Sequence, residues 1–274
     1  MTKIAYDPIK DQLAKLVRNS PILRKIFYSL LNLLFLRSWH IRRLITLKGE
    51  ELDALGNWDL LDAGCGFGQY DHFMLNKFKN VHITSMDVKS SYLVDNRKFF
   101  HNEIEQGRIQ FELADLLNIE MDKKFDFIIC IDVLEHIEED QKVIQNLSNM
   151  LKKGGYFLMH SPSHLSEDDG EEDDTFVGEH ARAGYSKNDI EDKLMIAELM
   201  PEITQYTYGK WGRRAWKLSI KWPMILLNKF NLFALIPLLI YYPIILPFVI
   251  VMNFADLFNG KETGNGIYSL AMRI

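Results

Sequence analysis

Residues 60–68 read LLDAGCGFG, and this stretch decides the fold. Two leucines followed by Asp62 are typical of a buried strand, and three glycines at alternate positions indicate a very tight turn. Glycine lets the backbone take a positive φ or approach a ligand closely, because it has no Cβ. Such a loop at the carboxyl end of the first strand of an α/β sheet is where a nucleoside cofactor lies. A dinucleotide site needs the spacing G-x-G-x-x-G, but Gln69 stands where the third glycine would be. The stretch therefore predicts a nucleoside site without a pyrophosphate.

Further apolar runs downstream predict the strands of the same sheet. The second strand is predicted at 81–86 and ends at Asp87, 19 residues after Gly68. An acid at this point can accept hydrogen bonds from both ribose hydroxyls. A short third strand at 109–113 ends before Asp115, which is placed to meet an adenine. The near-continuous apolar run 125–131 is typical of a central parallel strand, and a fifth strand follows at 156–159.

At this point the chain resembles the class I S-adenosylmethionine-dependent methyltransferases. The matching motifs occur in the family's order over roughly residues 60–165: they are 61–68, Asp87, 114–116, Asp126 with 133–136, and 151–155. The resemblance implies an α/β fold, with a Rossmann-like seven-stranded sheet whose last strand is antiparallel. We expect the sixth strand at 203–208 and the seventh at 266–272, with N-terminal helices and an apolar helical insertion before the last strand.

The resemblance also implies S-adenosyl-L-methionine as the methyl donor. Gly64, Gly66 and Gly68 would flank its methionine part and Asp87 would hold its ribose. Asp115 would meet the adenine edge, and Asp132 would sit beside the sulfonium. The full set of predicted cofactor-binding residues is Asp62, Gly64, Cys65, Gly66, Gly68, Asp87, Val88, Asp115, Leu116 and Asp132.

Methyl transfer from a sulfonium is an in-line displacement, so an enzyme mainly aligns the nucleophile, the methyl group and the sulfur. An oxygen acceptor of high pKa also needs a base, and histidine suits that role near neutral pH. Four histidines occupy plausible places: His136, His160, His164 and His180. We favour His136 and His180 as catalytic residues. His180 lies in EHARAGYS, which is similar to a run that lines the substrate pocket of many methyltransferases of this type. Helix capping or ordinary loop polarity is the alternative for each histidine.

Asp132, Glu135 and His136 fall at i, i+3 and i+4, a spacing that a helix would bring to one face. Such a face could hold a divalent metal, and quinone O-methyltransferases show a similar acid-acid-histidine set. The alternative is that Asp132 faces the cofactor while Glu135 and His136 stabilise the start of a helix. We favour that alternative and predict no metal site.

The net charge of −5 conceals an uneven distribution. Residues 1–48 carry +8, residues 49–209 carry −19 and residues 210–274 carry +6. An acidic central domain repels phosphate backbones, which argues against nucleic acid as the substrate or partner. Basic, apolar flanks suit an anionic membrane surface. The two cysteines form no disulfide or zinc pattern, and we expect a reducing, cytoplasmic location at the inner face of a membrane.

The stretch 232–252 has 21 residues without a charge, enough for a helix to cross a bilayer. A single crossing would put the sixth and seventh strands of one sheet on opposite sides of the membrane, so we exclude it. Pro237, Pro243 and Pro247 are also expected to break or kink a straight helix. A re-entrant hairpin or short interfacial helices remain, with Trp211, Trp216 and Trp222 as an anchor. The alternative is a hydrophobic cap over the substrate pocket.

The N-terminal residues 22–36 are apolar-rich, with Lys25, Ser29 and Asn32 on one helical face. We predict an amphipathic helix that covers the cofactor or rests on lipid; a lid helix packed wholly on the domain is the alternative. The predicted domains are 1–48 (basic amphipathic helices), 49–210 (cofactor-binding core), 211–260 (apolar insertion) and 261–274 (final strand).

The resulting hypothesis is a methyltransferase acting on a lipophilic small molecule, quinone-like, phenolic or lipid, at or near a membrane surface. One alternative is a methyltransferase of a soluble metabolite or protein, and another is a non-catalytic adapter that keeps the fold. The oligomeric state stays open at this point.

Overall fold

The computed structural model describes residues 20–119, 121–169, 181, 184–259 and 262–274. Within these limits the chain divides into two compact units. A sheet unit holds residues 41–167, 181–205 and 266–274, and a helical unit holds residues 20–40, 168–169 and 206–265. The helical unit thus combines an N-terminal segment with the segment that separates the last two strands.

Seven strands form one mixed sheet in the order β3-β2-β1-β4-β5-β7-β6. Their bounds are β1 Trp58–Ala63, β2 Val81–Asp87, β3 Ile109–Leu113, β4 Phe125–Ile131, β5 Leu151–Pro162, β6 Leu199–Thr207 and β7 Gly266–Arg273. Strands β1 to β5 are joined by parallel pairings, and β7 runs antiparallel to β5. This is the predicted seven-stranded sheet with an antiparallel last strand.

Seven helices among the described residues precede the sheet or connect its first six strands: two precede β1 and five lie between successive strands. They are α1 Pro21–Leu34, α2 Leu36–Leu55, α3 Gln69–Lys77, α4 Ser90–Phe99, α5 His101–Glu105, α6 Asp140–Asn149 and α7 Lys187–Ile196, with 3₁₀ turns at Leu134–His136 and His164–Asp169. Local sequence fixes several starts. Ser20 accepts a hydrogen bond from the Leu23 amide before Pro21, and Ser186 does the same for the Asp189 amide at the start of α7.

The central strands are buried on both faces, which explains their unbroken apolar runs. Phe127, Ile129 and Leu158 on β4 and β5 have no exposed surface. Burying each such side chain contributes about 1.5–3 kcal/mol to the driving force for folding. The sheet is therefore a rigid platform, and the carboxyl ends of β1, β2 and β4 meet at one edge of it.

The helical unit continues from β6 through an almost unbroken helical run. It comprises α8 Lys210–Trp216, a π-helical turn Lys217–Lys221, α9 Trp222–Phe230, a 3₁₀ turn Asn231–Ala234 and the long helix α10 Leu235–Phe258. The Tyr241 hydroxyl donates to the Leu218 carbonyl at 2.9 Å, and the Tyr242 hydroxyl donates to the Ser219 carbonyl at 2.8 Å. At the other end, the Asp256 carboxylate accepts hydrogen bonds from the backbone amides that precede and begin α8. Residues 210–230 and helix α10 therefore form the two arms of an antiparallel hairpin.

The expectation that the prolines would break or kink the apolar stretch is wrong in one respect, since they do not break it. Helix α10 is one α-helix of 24 residues, with Pro243 and Pro247 inside it. Each proline removes one backbone hydrogen bond. The tyrosine bonds near its start and the aspartate bonds near its end join α10 to the neighbouring arm. By length and composition α10 could also cross a bilayer.

Strand bounds depart from the sequence predictions mainly at β5 and β6. β3 and β4 begin and end as predicted, but β5 begins at Leu151 and β6 begins at Leu199. The early part of β5 contains Lys152, Lys153 and two glycines, and the early part of β6 contains Pro201 and Glu202, so neither has an apolar run. Pairing with neighbours extends both strands beyond the residues whose pattern identified them.

Candidate active site

The loop after β1 has the backbone conformation that its three glycines predict. Gly64, Gly66 and Gly68 have φ values of +91°, +51° and +70°. A Cβ at Gly64 would lie 2.3 Å from Val133 Cγ2, and a Cβ at Gly68 would lie 2.8 Å from Phe100 Cε2. A Cβ at Gly66 would meet no atom within 4 Å. Gly64 and Gly68 are thus required by packing, whereas Gly66 borders open space.

The backbone of Gly66 is fixed by side chains from two other elements. Its amide donates to Asp87 Oδ2 at the end of β2, at 2.9 Å. Its carbonyl accepts from Asn96 Nδ2 on α4, also at 2.9 Å. Asn96 is fully buried and was missed by the sequence analysis, because a single amide in a helix 30 residues away carries no signal of this contact.

Asp87 holds the loop and still has capacity to bind a ligand. Its Oδ1 accepts from the Lys89 amide at 2.7 Å, so each carboxylate oxygen has one protein donor. An ionised carboxylate has about four acceptor positions. Two positions are therefore available for hydroxyl groups, as the ribose assignment requires. The neighbouring Val88 side chain is 70% exposed, whereas Leu116 is buried.

Asp115 is exposed and organises its own turn. Its Oδ1 accepts from the Leu117 amide at 3.0 Å, and its Oδ2 accepts from Asn118 Nδ2 at 2.9 Å. These bonds fix the carboxylate just beyond β3, whose Leu113 is paired with Asp87 on β2. The two acids predicted to hold the nucleoside thus follow neighbouring strands of the sheet.

Asp62 is almost fully buried in the last part of β1. Burial raises the pKa of its carboxyl well above the ordinary value, and the nearby Asp71 and Asp87 carboxylates raise this pKa further. Asp71, at the start of α3, accepts a hydrogen bond from Ser85 Oγ at 2.8 Å. At the base of the loop, the neutral form of the Asp62 carboxyl is therefore favoured more than in an exposed aspartate. Burial likewise raises the pKa of the Cys65 thiol, which makes it a poor nucleophile.

Asp132 pairs with His160 where β4 and β5 end. His160 Nδ1 lies 2.5 Å from Asp132 Oδ1, and the Asp132 amide donates to the His160 carbonyl at 2.9 Å. Asp132 has a φ of +54°, a strained conformation for a residue with a Cβ. Strain of this kind persists only where the surroundings hold it. The two bonds to His160, from side chain and backbone, provide such support.

Asp132, Glu135 and His136, weighed above as a possible metal set, do not share one helical face. His136 is exposed, on the 3₁₀ turn Leu134–His136, whereas Glu135 is buried and accepts a hydrogen bond from Ser161 Oγ at 3.0 Å. Asp132 lies outside that turn, so the expected common helical face does not form. Among the described residues there is no group of three side chains that could hold a metal ion. His180 lies outside the described residues.

The residues present fit S-adenosylmethionine. The open space beside Gly66 admits a ligand close to the backbone, and Asp87 offers acceptor positions at the same loop. Together with the strand order, this arrangement defines the class I S-adenosylmethionine-dependent methyltransferase fold.

A family model described as a methyltransferase domain matches residues 56–205, more than half of the chain. The chain belongs to this family. The ubiquinone biosynthesis O-methyltransferase of Coxiella burnetii is 32% identical over 117 residues, which are 42% of this chain and 45% of the relative. The (S)-coclaurine N-methyltransferase of Papaver somniferum is 28% identical over 124 residues, 44% of this chain and 34% of the relative. The chain thus matches less than half the length of these relatives.

The fold extends further than the sequence similarity. The crystal structure of a putative sarcosine dimethylglycine methyltransferase from Galdieria sulphuraria superposes with a TM-score of 0.58. It shares 15% sequence identity, and the match covers 86% of each chain. At this identity the likeness establishes the fold alone.

Proposed function

We propose that this protein transfers a methyl group from S-adenosylmethionine to a lipophilic small molecule at or near a membrane surface. The observation that carries the methyl-transfer part is the Gly66 backbone, fixed by Asp87 and Asn96 and facing open space. The family supports the cofactor. The acceptor part draws support from relatives named for quinone and alkaloid methylation and from the exposed apolar surface of α10.

The residues of the sheet unit would act mainly by alignment. S-adenosylmethionine supplies an electrophilic methyl group on a sulfonium. The loop 64–68 orients its methionine part, Asp87 binds the ribose and Asp115 the adenine edge. Asp132, which contacts His160 at the end of β4, would sit beside the sulfonium. For an oxygen acceptor, His136 is our candidate for the base that removes the proton, with His180 as the second candidate.

Partition of a labelled product tests this proposal. Purified protein is incubated with methyl-labelled S-adenosylmethionine and a total extract of the source cells, and the organic, aqueous and macromolecular fractions are separated. We expect label in the organic fraction, and none with a Gly66→Val variant. Label confined to the aqueous or macromolecular fraction would overturn the lipophilic acceptor. Cofactor binding without any transfer would instead favour a non-catalytic adapter.

A further inference from the structure

Helix α10 exposes its apolar face and buries its polar residues. Large apolar side chains spaced mostly three or four residues apart along its whole length are 58–75% exposed: Ile236, Leu239, Ile240, Ile244, Phe248, Val251, Phe254 and Phe258. Asn253 and Asp256 are buried, with Leu238 and Val249. In a helix that rests on a water-soluble core this arrangement is reversed.

Helix α1 shows the same inversion within the helical unit. Its buried side chains are Arg24 and Tyr28, and Arg24 Nε donates to the Tyr28 hydroxyl at 2.6 Å. On its exposed side, Ile22, Ile26 and Leu30 follow one another at i, i+4 and i+8. α1 also packs against α10. Two neighbouring helices therefore present apolar rows outward, and we call these rows the outer apolar surface.

The charge around this surface is almost entirely positive. Residues 20–40 and 210–258 together contain nine Lys and Arg, of which Arg24 and Lys221 are buried, and a single acid, Asp256. Asp256 is buried and accepts hydrogen bonds from the Gly209 and Gly212 amides, so it does not offset the cations at the surface. Cations beside an apolar helix face are the combination that binds anionic lipid. A second copy of the chain fits less well, because pairing this surface with itself would bring like charges together.

The hairpin arm opposite α10 decides how the surface can meet a bilayer. Residues 210–230 carry six Lys and Arg over 21 residues, which is incompatible with a hydrocarbon environment along the length of that arm. The hairpin therefore cannot insert into the hydrocarbon core as a pair of apolar helices. α10 is about 36 Å long, and its exposed apolar row extends from end to end. Because the charged arm runs alongside α10 and cannot enter the hydrocarbon, α10 can bury this row along its whole length by lying parallel to the membrane plane.

We propose that the outer apolar surface is a docking surface for an anionic bilayer, with α10 lying flat at the depth of the lipid headgroups. This inference rests on the proposed function for its purpose, since a lipophilic acceptor would be dissolved in the bilayer. The partner is the lipid surface itself.

Vesicle flotation with the full-length protein tests the surface without any methyl acceptor. We expect the protein to float with vesicles that contain phosphatidylglycerol, and to bind about tenfold less to phosphatidylcholine alone. The double variant Ile240→Glu, Ile244→Glu should lower binding at least about tenfold, because two charges would enter the apolar layer. The matched control Leu55→Glu, Ile196→Glu changes two exposed apolar residues of the sheet unit and should bind as the wild type.

A depth measurement tests the orientation. A fluorophore is attached to a cysteine at position 236, 244 or 258 and quenched by lipids labelled at known depths. Similar, shallow depths at all three positions are expected, and a steady gradient from 236 to 258 would overturn the flat orientation. Absence of flotation by the wild type, or equal flotation by the Ile240→Glu, Ile244→Glu variant, would overturn the docking surface. S-adenosylmethionine affinity, measured on the same samples, reports separately on the proposed function.

Discussion

The sheet unit and the helical unit distribute apolar side chains in opposite ways. In the sheet unit the central strands bury Phe127, Ile129 and Leu158. In the helical unit the long helix α10 exposes a full row of apolar residues, whereas Asp256 and Asn253 are buried. The first pattern matches a protein interior that is shielded from water, and the second matches a surface that meets an apolar phase. Within one chain, the sheet unit therefore hides its apolar side chains from water, whereas helix α10 exposes them.

The two units also differ in what holds them together. Apolar burial dominates in the sheet unit, with a local polar cluster at the cofactor loop. In the helical unit, hydrogen bonds between side chains and backbone groups join the helical arms: Tyr241 to Leu218, Tyr242 to Ser219, and Asp256 with Gly209 and Gly212. Hydrogen bonds keep their strength when the surroundings are apolar, whereas the hydrophobic effect between helices is lost there.

The largest expected effect tests whether cofactor binding depends on the sheet unit alone, and it comes from the loop 64–68. Gly66→Val should lower S-adenosylmethionine affinity more than about 100-fold, because the side chain fills the space that the ligand needs at close approach to the backbone. Vesicle binding should not change. Isothermal titration calorimetry and flotation on the same preparation measure both properties.

Gly107→Val is the matched control for this variant. Gly107 also has a positive φ, +69°, and a Cβ there would likewise meet no atom within 4 Å. Both substitutions therefore carry a similar backbone strain, but Gly107 lies in the turn before β3. Unchanged affinity in Gly66→Val, or an equal loss in Gly107→Val, would remove the loop from the cofactor site.

A second test compares the same truncation in each unit. Ile129→Ala should lower the free energy of unfolding by about 3 kcal/mol, because it leaves a cavity in a fully buried part of β4. Ile244→Ala should lower it by less than about 0.5 kcal/mol in detergent-free buffer, since that side chain is 60% exposed. Urea titration monitored by circular dichroism measures both. Equal losses would mean that protein covers the α10 face in solution, and the contrast between the units would fail.

A third test addresses the buried acid of the helical unit. Asp256→Leu should cost about 2 kcal/mol of unfolding free energy, because two buried backbone amides would lose their acceptor. Asp192→Leu, at an exposed acid on α7, should change stability by less than about 0.5 kcal/mol. A neutral or stabilising Asp256→Leu would show that apolar packing, and not this polar contact, holds the hairpin.

Local sequence was enough to predict the parts of the sheet unit whose structure is decided locally. The apolar runs 109–113 and 125–131 give β3 and β4 with their observed bounds. The three glycines predict a loop with positive φ values, because this conformation depends on the residue type at each position and not on distant contacts. The argument that one sheet cannot lie on both sides of a membrane uses only the order of the strands along the chain. That order can be read from the sequence.

Contacts between distant residues were beyond the sequence pattern. Asn96 holds the Gly66 carbonyl from α4, and His160 meets Asp132 across neighbouring strands. Neither pair has a spacing that a helix or strand imposes, so no periodicity reveals it. Helix α10 passes through Pro243 and Pro247 for a similar reason: the bonds that hold it come from another arm of the hairpin. Local propensity alone therefore gave the wrong expectation.

The smallest expected effect concerns a single charge beside the outer apolar surface. Arg214 is exposed on α8, with its guanidinium over the Trp211 ring. Arg214→Gln should weaken binding to phosphatidylglycerol vesicles about fivefold at low salt, corresponding to about 1 kcal/mol for one cation near the surface. At high salt the difference should shrink, because screening shortens the reach of the charge.

Lys98→Gln lowers the net charge equally but on α4 of the sheet unit, and it should leave vesicle binding unchanged. If the two variants lose the same affinity, binding follows the total charge of the protein and not the placement of cations on the helical unit. A loss confined to Arg214→Gln would instead show that only the helical unit meets the anionic lipid, which is what the opposite polarity of the two units requires.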